Sequence, residues 1–302
     1  MHEDPGVPIG LCLPHRKTGA DEALRLAILA EELGYDSVWV SEFATYDAYA
    51  LACAIAARTE RIEIGTAIVP FSTRTAALHA MSMSTLAHLA PGRCIVGFGI
   101  STKPVIESWH AQPGVVERAL THATTLFDEL DKALAGERTS GRFKLEAPPP
   151  RPPKRYVGAL GPRMRAFTRE RADGLILNFA PRSALVGQAQ GEPGDVVLPV
   201  RVGEGEEAEK RFRREAASYL RVPVYERAIA EMGYPDVVEQ GELQAMADAL
   251  PSGFVEDMGI LGDAPAKLAR MDDDGVTPLV VPVVAPGDLA DFERIQRAAV
   301  SG

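Results

Sequence analysis

Carboxylate and imidazole side chains are the common proton carriers of enzyme sites. Glu42 and His15 are the clearest of each kind in this chain, both just behind a short apolar run. His15 also precedes Arg16-Lys17, so it reads equally as a surface histidine. Paired-carboxylate hydrolysis needs two placed acids, and only Glu42 stands out. No serine has the GxSxG surroundings of an activated nucleophile. Two glycine-bearing loops suit an anion instead. Gly97-Phe98-Gly99-Ile100-Ser101-Thr102-Lys103-Pro104 offers close backbone approach, two hydroxyls, a charge and a proline where a helix starts. Gly158-Ala159-Leu160-Gly161-Pro162-Arg163 repeats the order of strand, glycine and proline. Plain tight turns explain either loop alone, while two on one face favour a phosphorylated ligand. The expected site holds a molecule that brings its own reactivity.

Metal and thiol chemistry find little support. Cys12, Cys53 and Cys94 lie far apart in apolar runs, with no CxxC spacing, which reads as buried thiols of a reducing compartment. None of the six histidines forms an HxxxH or HxH pair, so no metal site is expected.

The elements that must position these residues follow from periodicity. Eight β-branched runs stand out: Ile9–Leu13, Ser37–Val40, Ile62–Val69, Cys94–Ile100, Tyr156–Leu160, Leu175–Phe179, Val196–Val202 and Leu279–Val284. Several are nearly continuous in Val, Ile and Leu, as in parallel strands covered on both faces. Helical spacing fills the intervals. Ala20–Leu33 places Leu24, Ala27, Ile28, Leu29 and Leu33 on one stripe and stops at Gly34; Ala48–Ala57 and Ala76–Leu89 behave alike. Such alternation over about 250 or more residues predicts an α/β fold, a (β/α)8 TIM barrel with its site at the carboxyl ends of the strands. A doubly wound sheet is the runner-up, but Pro14-His15-Arg16-Lys17 stands where GxGxxG would announce it.

Two stretches exceed a minimal barrel. The proline-rich segment Thr139–Pro153 reads as an extended surface connection. The second is a helical insertion before the last strand, at about 204–257, within a single domain spanning 1–302. Its Glu204, Glu206, Glu207 and Glu209 precede Lys210, Arg211, Arg213 and Arg214, as on a solvated helix that Pro223 then breaks. Tyr219, Val222, Val224 and Tyr225 need an apolar partner, either as a lid over the barrel mouth or at a subunit contact.

Apolar residues are 46% and charged residues 25% of the 302, the mix of a globular protein. Lys+Arg 32 against Asp+Glu 42 gives a net charge of −10, which argues against nucleic-acid binding. No apolar run reaches the ~20 residues of a membrane span. The opening MHEDPGVP is unlike a signal peptide, so a cytoplasmic place is expected.

Five segments in order resemble the bacterial-luciferase-like flavin and deazaflavin oxidoreductases: AEELGYDSVWVSE (30–42), RTERIEIGTAIVPFSTRT (58–75), STLAHLAPGRCIVGFGIS (84–101), YVGALGPRMRAFTRERADGLILNFAP (156–181) and LGDAPAKLARMDDDGVTPLVVPV (261–283). PVIESWH (104–110) and YLRVPVYERAIAEMGY (219–234) resemble the branch that uses coenzyme F420, a 5-deazaflavin, rather than FMN. The resemblance implies a bulge with a non-prolyl cis peptide at Ala67-Ile68, after Thr66, backing the cofactor's central ring. It implies that Ser41 and Glu42 reach the ring, although relatives often read Ser-Asp-His where Ser41-Glu42-Phe43 stands here. That difference sets sugar-phosphate dehydrogenase chemistry in doubt. Gly99, Ile100, Ser101 and Thr102, with Gly158, Ala159, Leu160, Gly161 and Pro162, match the segments around the ribityl chain and phosphate, and Asn178 matches a cofactor-facing position. Trp109 and His110 either line the pocket or pack the fourth helix, packing being the favoured reading. Tyr46 and Tyr49 either roof the ring or join the core, while His79, His88 and His122 are expected to be structural or exposed.

The expected activity is hydride transfer between F420 and a small organic substrate, in the direction of reducing a C=C, C=N or C=O bond, with Glu42 or His15 as proton donor. An FMN-dependent monooxygenase and a non-catalytic family member are the alternatives. Relatives commonly pair through helices beside the early strands, which implies a homodimer.

Overall fold

The computed structural model describes residues 8–184, 192–235, 237, 241–273 and 275–301. The polar start of the chain (1–7), with 236 and 238–240 of the insertion, lies outside the described residues. Eight parallel strands close a ring: β1 (Gly10–Cys12), β2 (Ser37–Val40), β3 (Glu63–Thr66), β5 (Cys94–Gly99), β6 (Lys154–Gly158), β7 (Gly174–Ile176), β8 (Asp195–Gly203) and β10 (Thr277–Pro282). The β8–β10 and β10–β1 pairings seal it, giving a (β/α)8 barrel. Two short strands were not foreseen. β4 (Val69–Pro70) continues β3 past its bulge and pairs with β5, and β9 (Gly259–Leu261) pairs with the upper half of β8 where β7 has ended.

The barrel interior is filled. The Trp39 indole lies across it, and a Cβ on Gly65 would stand 2.4 Å from that ring, so β3 needs glycine opposite it. Trp39 packs with Cys12, Ile95, Tyr156, Ile176, Val197 and Leu279, while alternate strand residues such as Val38, Ile64, Val96 and Val200 face the helices.

Around the ring stand α1 (Ala20–Glu32), α2 (Ala48–Ala56), α3 (Ala76–Leu89), α4 (Ala119–Leu134), α5 (Pro162–Arg171), α10 (Ala264–Asp273) and α11 (Leu289–Val300). Counting in chain order, α6 (Gly205–Leu220), α7 (Pro223–Glu231), α8 (Leu243–Ala249) and α9 (Ser252–Met258) form the insertion, where Pro223 begins a new helix. On α1 the buried face is Ala23, Leu26, Ala27, Leu29 and Ala30 rather than the stripe through Leu24 and Ile28. Small alanines let the helix lie close to the strands and leave the two larger side chains at its edge. The proline-rich connection carries one antiparallel bridge, Arg138 with Lys144, and is pinned to α3 by the Ser84 hydroxyl, which donates to the Ala147 carbonyl at 2.6 Å.

The insertion has its own apolar core of Phe212, Leu220, Ile229, Phe254 and Met258, which includes Phe179 after β7 and Val283 after β10. It therefore sits over one side of the barrel mouth. Arg182 donates to the Asp257 carbonyl at 3.2 Å, and Tyr234 to the Asp257 carboxylate at 2.7 Å, tying the β7 end to α9 and α7.

Candidate active site

The carboxyl ends of β3, β5 and β6 meet at one side chain. The Ala67–Ile68 peptide is cis, as the resemblance implied. The Ile68 side chain lies across the next two strands: a Cβ on Gly99 would stand 3.0 Å from it, and one on Gly158 3.5 Å. These glycines make room first of all for Ile68, and only through it shape a ligand floor. Ser41 donates to the Ala67 carbonyl at 2.9 Å and braces the bulge. Thr66 is fully buried, its hydroxyl donating to the Gly97 carbonyl and accepting the Gly97 N–H. The Thr66 side chain is thus committed to β5 and supports the bulge from beneath.

Glu42 is likewise engaged. Arg74 donates Nη1 to Oε1 at 2.7 Å and Nη2 to Oε2 at 2.6 Å, and the Ala48 N–H reaches Oε2 at 3.2 Å. Both carboxylate oxygens thus face donors, the geometry of a two-point structural ion pair. Arg74 is held well above the ordinary arginine range by Glu42 and Asp47 against the opposing effect of burial. His15 stands opposite, edge-on to Phe43 with centroids 5.5 Å apart. Burial chiefly, then the Arg16 charge, lowers its pKa, so its imidazole is neutral at physiological pH. Phe43 in turn meets Trp109 edge-on at 5.0 Å. Trp109 is 52% exposed and lies on a π-helical turn, so it lines the rim and does not pack α4. Tyr46 donates to the Pro14 carbonyl at 2.6 Å, while Tyr49 is core, beside the buried His79.

The two anion-suited loops flank the floor. Ile100 packs on the barrel core, and Ser101 takes a left-handed turn at φ 65°. The Ser101 and Thr102 hydroxyls make no hydrogen bond among the described residues. Ala159 is buried and tied to the Ile176 carbonyl at 3.3 Å, while Leu160 and Gly161 lead to Pro162 at the start of α5. The positive end of a ten-residue helix and the exposed Arg163 follow. Lys103 is spent on Glu107 and Glu117, at 3.5 and 2.7 Å.

Asn178 stands at the β7 end, and its amide is fully engaged. Its Nδ2 donates to the Tyr225 hydroxyl at 2.7 Å, and its Oδ1 accepts from Arg201 at 3.1 Å. Arg201 and Glu215 were missed in the sequence, while Tyr219 and Tyr225 were singled out there only as an apolar face for a lid or a subunit contact. The available signal was parity: Arg201 shares a strand face with Val197, the interior one, while Val196, Leu198, Val200 and Val202 face outward. Arg74 lay within a segment carrying the resemblance, with no hint of its partner. Among the described residues no cluster of His, Cys, Asp and Glu suits a metal ion.

The luciferase-like monooxygenase family matches residues 7–190, and the chain belongs to it. It is 27% identical to a Mycobacterium tuberculosis protein named as a coenzyme F420-dependent oxidoreductase, across 89% of this chain and 93% of that protein. It is also 27% identical to an F420-dependent glucose-6-phosphate dehydrogenase of Nakamurella multipartita, across 86% of this chain and 85% of that one. Among solved structures, an F420-dependent secondary alcohol dehydrogenase in complex with an F420–acetone adduct shares the fold. Its TM-score is 0.71 at 18% identity, covering 97% of this chain and 99% of that one.

Proposed function

We propose that this chain is a one-domain oxidoreductase that binds coenzyme F420 and passes a hydride to a small organic substrate, reducing a C=C, C=N or C=O bond. The observation that carries the reading is the convergence of β3, β5 and β6 on Ile68, with Gly99 and Gly158 beneath it. Similarity to F420-named relatives along nearly the whole chain adds to it. The residues fit the group: an uncharged floor for a flat tricyclic ring, and then Ser101, Thr102, the α5 terminus and Arg163 for an anionic tail.

F420 supplies a hydride and no oxygen chemistry when bound. The protein's work is orientation and exclusion of water. Ala67 and Ile68 hold one face of the ring, Ser41 keeps the bulge in place, and the insertion covers the mouth beside Asn178. Glu42 fixes Arg74 and the loop before α3. His15, neutral near pH 7, offers one ring N–H and one ring lone pair toward the mouth.

A second copy of this chain is proposed on the outer face of α3, where Leu78, Met81 and Leu89 are exposed; sedimentation should give a dimer mass. A cytoplasmic place is proposed from three unpaired cysteines. The activity is tested anaerobically with reduced F420 and a panel of unsaturated acceptors, watching the oxidised deazaflavin's absorbance return. Turnover with reduced FMN and oxygen, and none with reduced F420, would replace this reading by the monooxygenase one.

A further inference from the structure

A buried guanidinium beside the floor has no role in the account above. Arg201 is 5% exposed and pairs in register with Val281, which packs on the same interior cluster as Ala67 and Ile68. It therefore belongs to the barrel layer of the proposed ring platform. Its donors are all placed. Nε and Nη2 reach Glu215 Oε1 at 3.0 and 2.8 Å, Nη1 reaches Asn178 Oδ1 at 3.1 Å and the Pro199 carbonyl at 3.2 Å, and Nη2 reaches the Tyr219 hydroxyl at 3.1 Å.

A guanidinium can only donate. The Tyr219 oxygen is therefore an acceptor, and Asn178 must turn its oxygen to Arg201 and its NH2 to Tyr225. The Tyr225 oxygen is then an acceptor as well, at 2.7 Å. Each phenol keeps its own proton, and no described residue accepts either one. Both tyrosines are partly exposed, so each proton is free to go to solvent or to a ligand at the mouth. The rings are held: Tyr219 stacks on Phe179 at 4.5 Å, and Tyr225 meets Tyr219 edge-on at 4.8 Å. Phe179 itself has φ 55°, unusual for a bulky residue, and is turned into this stack. The cluster stands at the mouth end of the barrel, since Arg201 lies two residues before the end of β8 and Asn178 two residues past the end of β7.

The geometry points to an oxyanion site in which the Tyr219 and Tyr225 hydroxyls together receive the carbonyl oxygen of the substrate, with Arg201 behind both. The substrate class is a ketone or conjugated enone with an apolar body, which lies toward Phe43 and Trp109. This assignment rests on the proposed F420 reading for its hydride. The substrate carbon takes the hydride and its two electrons from reduced F420, and the C=O π pair moves onto oxygen. Tyr225 gives its proton to that oxygen. The phenolate left behind regains a proton from water, while the oxidised deazaflavin releases one, so protons and electrons balance. Donors fixed beforehand and backed by a cation stabilise charge as it grows on oxygen.

The probe is 4-nitrophenol at a pH where it is ionised, an aromatic oxyanion that does not react. Its binding is followed by the shift of its absorbance, with protein alone and with protein holding F420. The wild-type protein should bind it, and Tyr225→Phe and Tyr219→Phe should each weaken binding about tenfold or more, with both variants folded and F420 binding retained. No binding by wild type, or undiminished binding in both variants, overturns the oxyanion site. F420 titration of the same preparations judges the cofactor reading separately, because the measurement on protein alone needs no F420.

Discussion

Arg74 and Glu42 stand 32 residues apart in the chain and meet in a two-point ion pair, with both side chains 11% exposed. The pair ties the end of β2 to the segment leading into α3, beside the floor that Ile68 builds. Glu42→Gln leaves the guanidinium with Asp47 alone, its two-point partner replaced by a neutral amide. Loss of about 2–3 kcal/mol of stability is expected, read as a lower urea midpoint, and Glu42→Gln with Arg74→Met should lose less than the two single losses added. A Glu42 that acted as proton donor would instead lose turnover with its stability intact.

Gly97 and Gly99 lie on the same strand with unequal room. A Cβ at position 97 would stand 2.1 Å from the Thr66 carbonyl oxygen, a backbone atom. Gly97→Ala is expected to abolish soluble folded protein. At position 99 the obstacle is the Ile68 side chain at 3.0 Å, which can shift by a few tenths of an ångström. Gly99→Ala should fold, melt a few degrees lower, and bind F420 several-fold more weakly because the floor has moved. Equal melting of the two variants would contradict this placement.

His79 sets an acid limb of stability. Burial, with the Arg74 charge adding, pushes its pKa down from 6.5 to about 3, against a smaller opposing effect of the nearby Phe71 backbone. Between those values the unfolded chain binds a proton that the folded chain refuses. Stability is therefore complete above about pH 6.5 and falls as pH drops toward about 3. His15 is shifted in the same direction and adds to the limb. Urea midpoints between about pH 7.5 and pH 5 should fall for the wild type and fall less for His79→Gln.

The chain has two tryptophans in very different places. Trp39 is enclosed in the barrel, while Trp109 is exposed on the rim against Phe43. F420 at the proposed floor should quench the red-shifted emission of Trp109 and leave Trp39 little changed. Trp109→Phe should remove that quenching and keep the residual blue-shifted spectrum. An unchanged wild-type spectrum at saturating F420 would place the ring elsewhere.

The ring of strands was legible because most barrel strands are buried on both faces, and several read as dense runs of Val, Ile and Leu. β4 and β9 escaped for a physical reason: two or three residues carry no period, and they pair only because β3 bulges and β7 stops early. The Ala67–Ile68 cis bulge was legible through resemblance, from a short local motif. Arg201 and Glu215, 14 residues apart on a strand and an inserted helix, meet through the docking of α6, which no spacing encodes. Trp109 went astray similarly, since apolar character suggested packing and the π-helical turn carries it outward. Glu42 was found by type, and its role was hidden in Arg74.

Side-by-side titration of the purified protein with oxidised F420 and with FMN, read by fluorescence and by melting temperature, tests the central claim most directly. F420 at a hundred times its dissociation constant should stabilise the fold by ~2.7 kcal/mol and raise its melting point by several degrees, with FMN at equal concentration doing far less. Tight FMN binding without response to F420, or a melting point indifferent to both, would contradict the account.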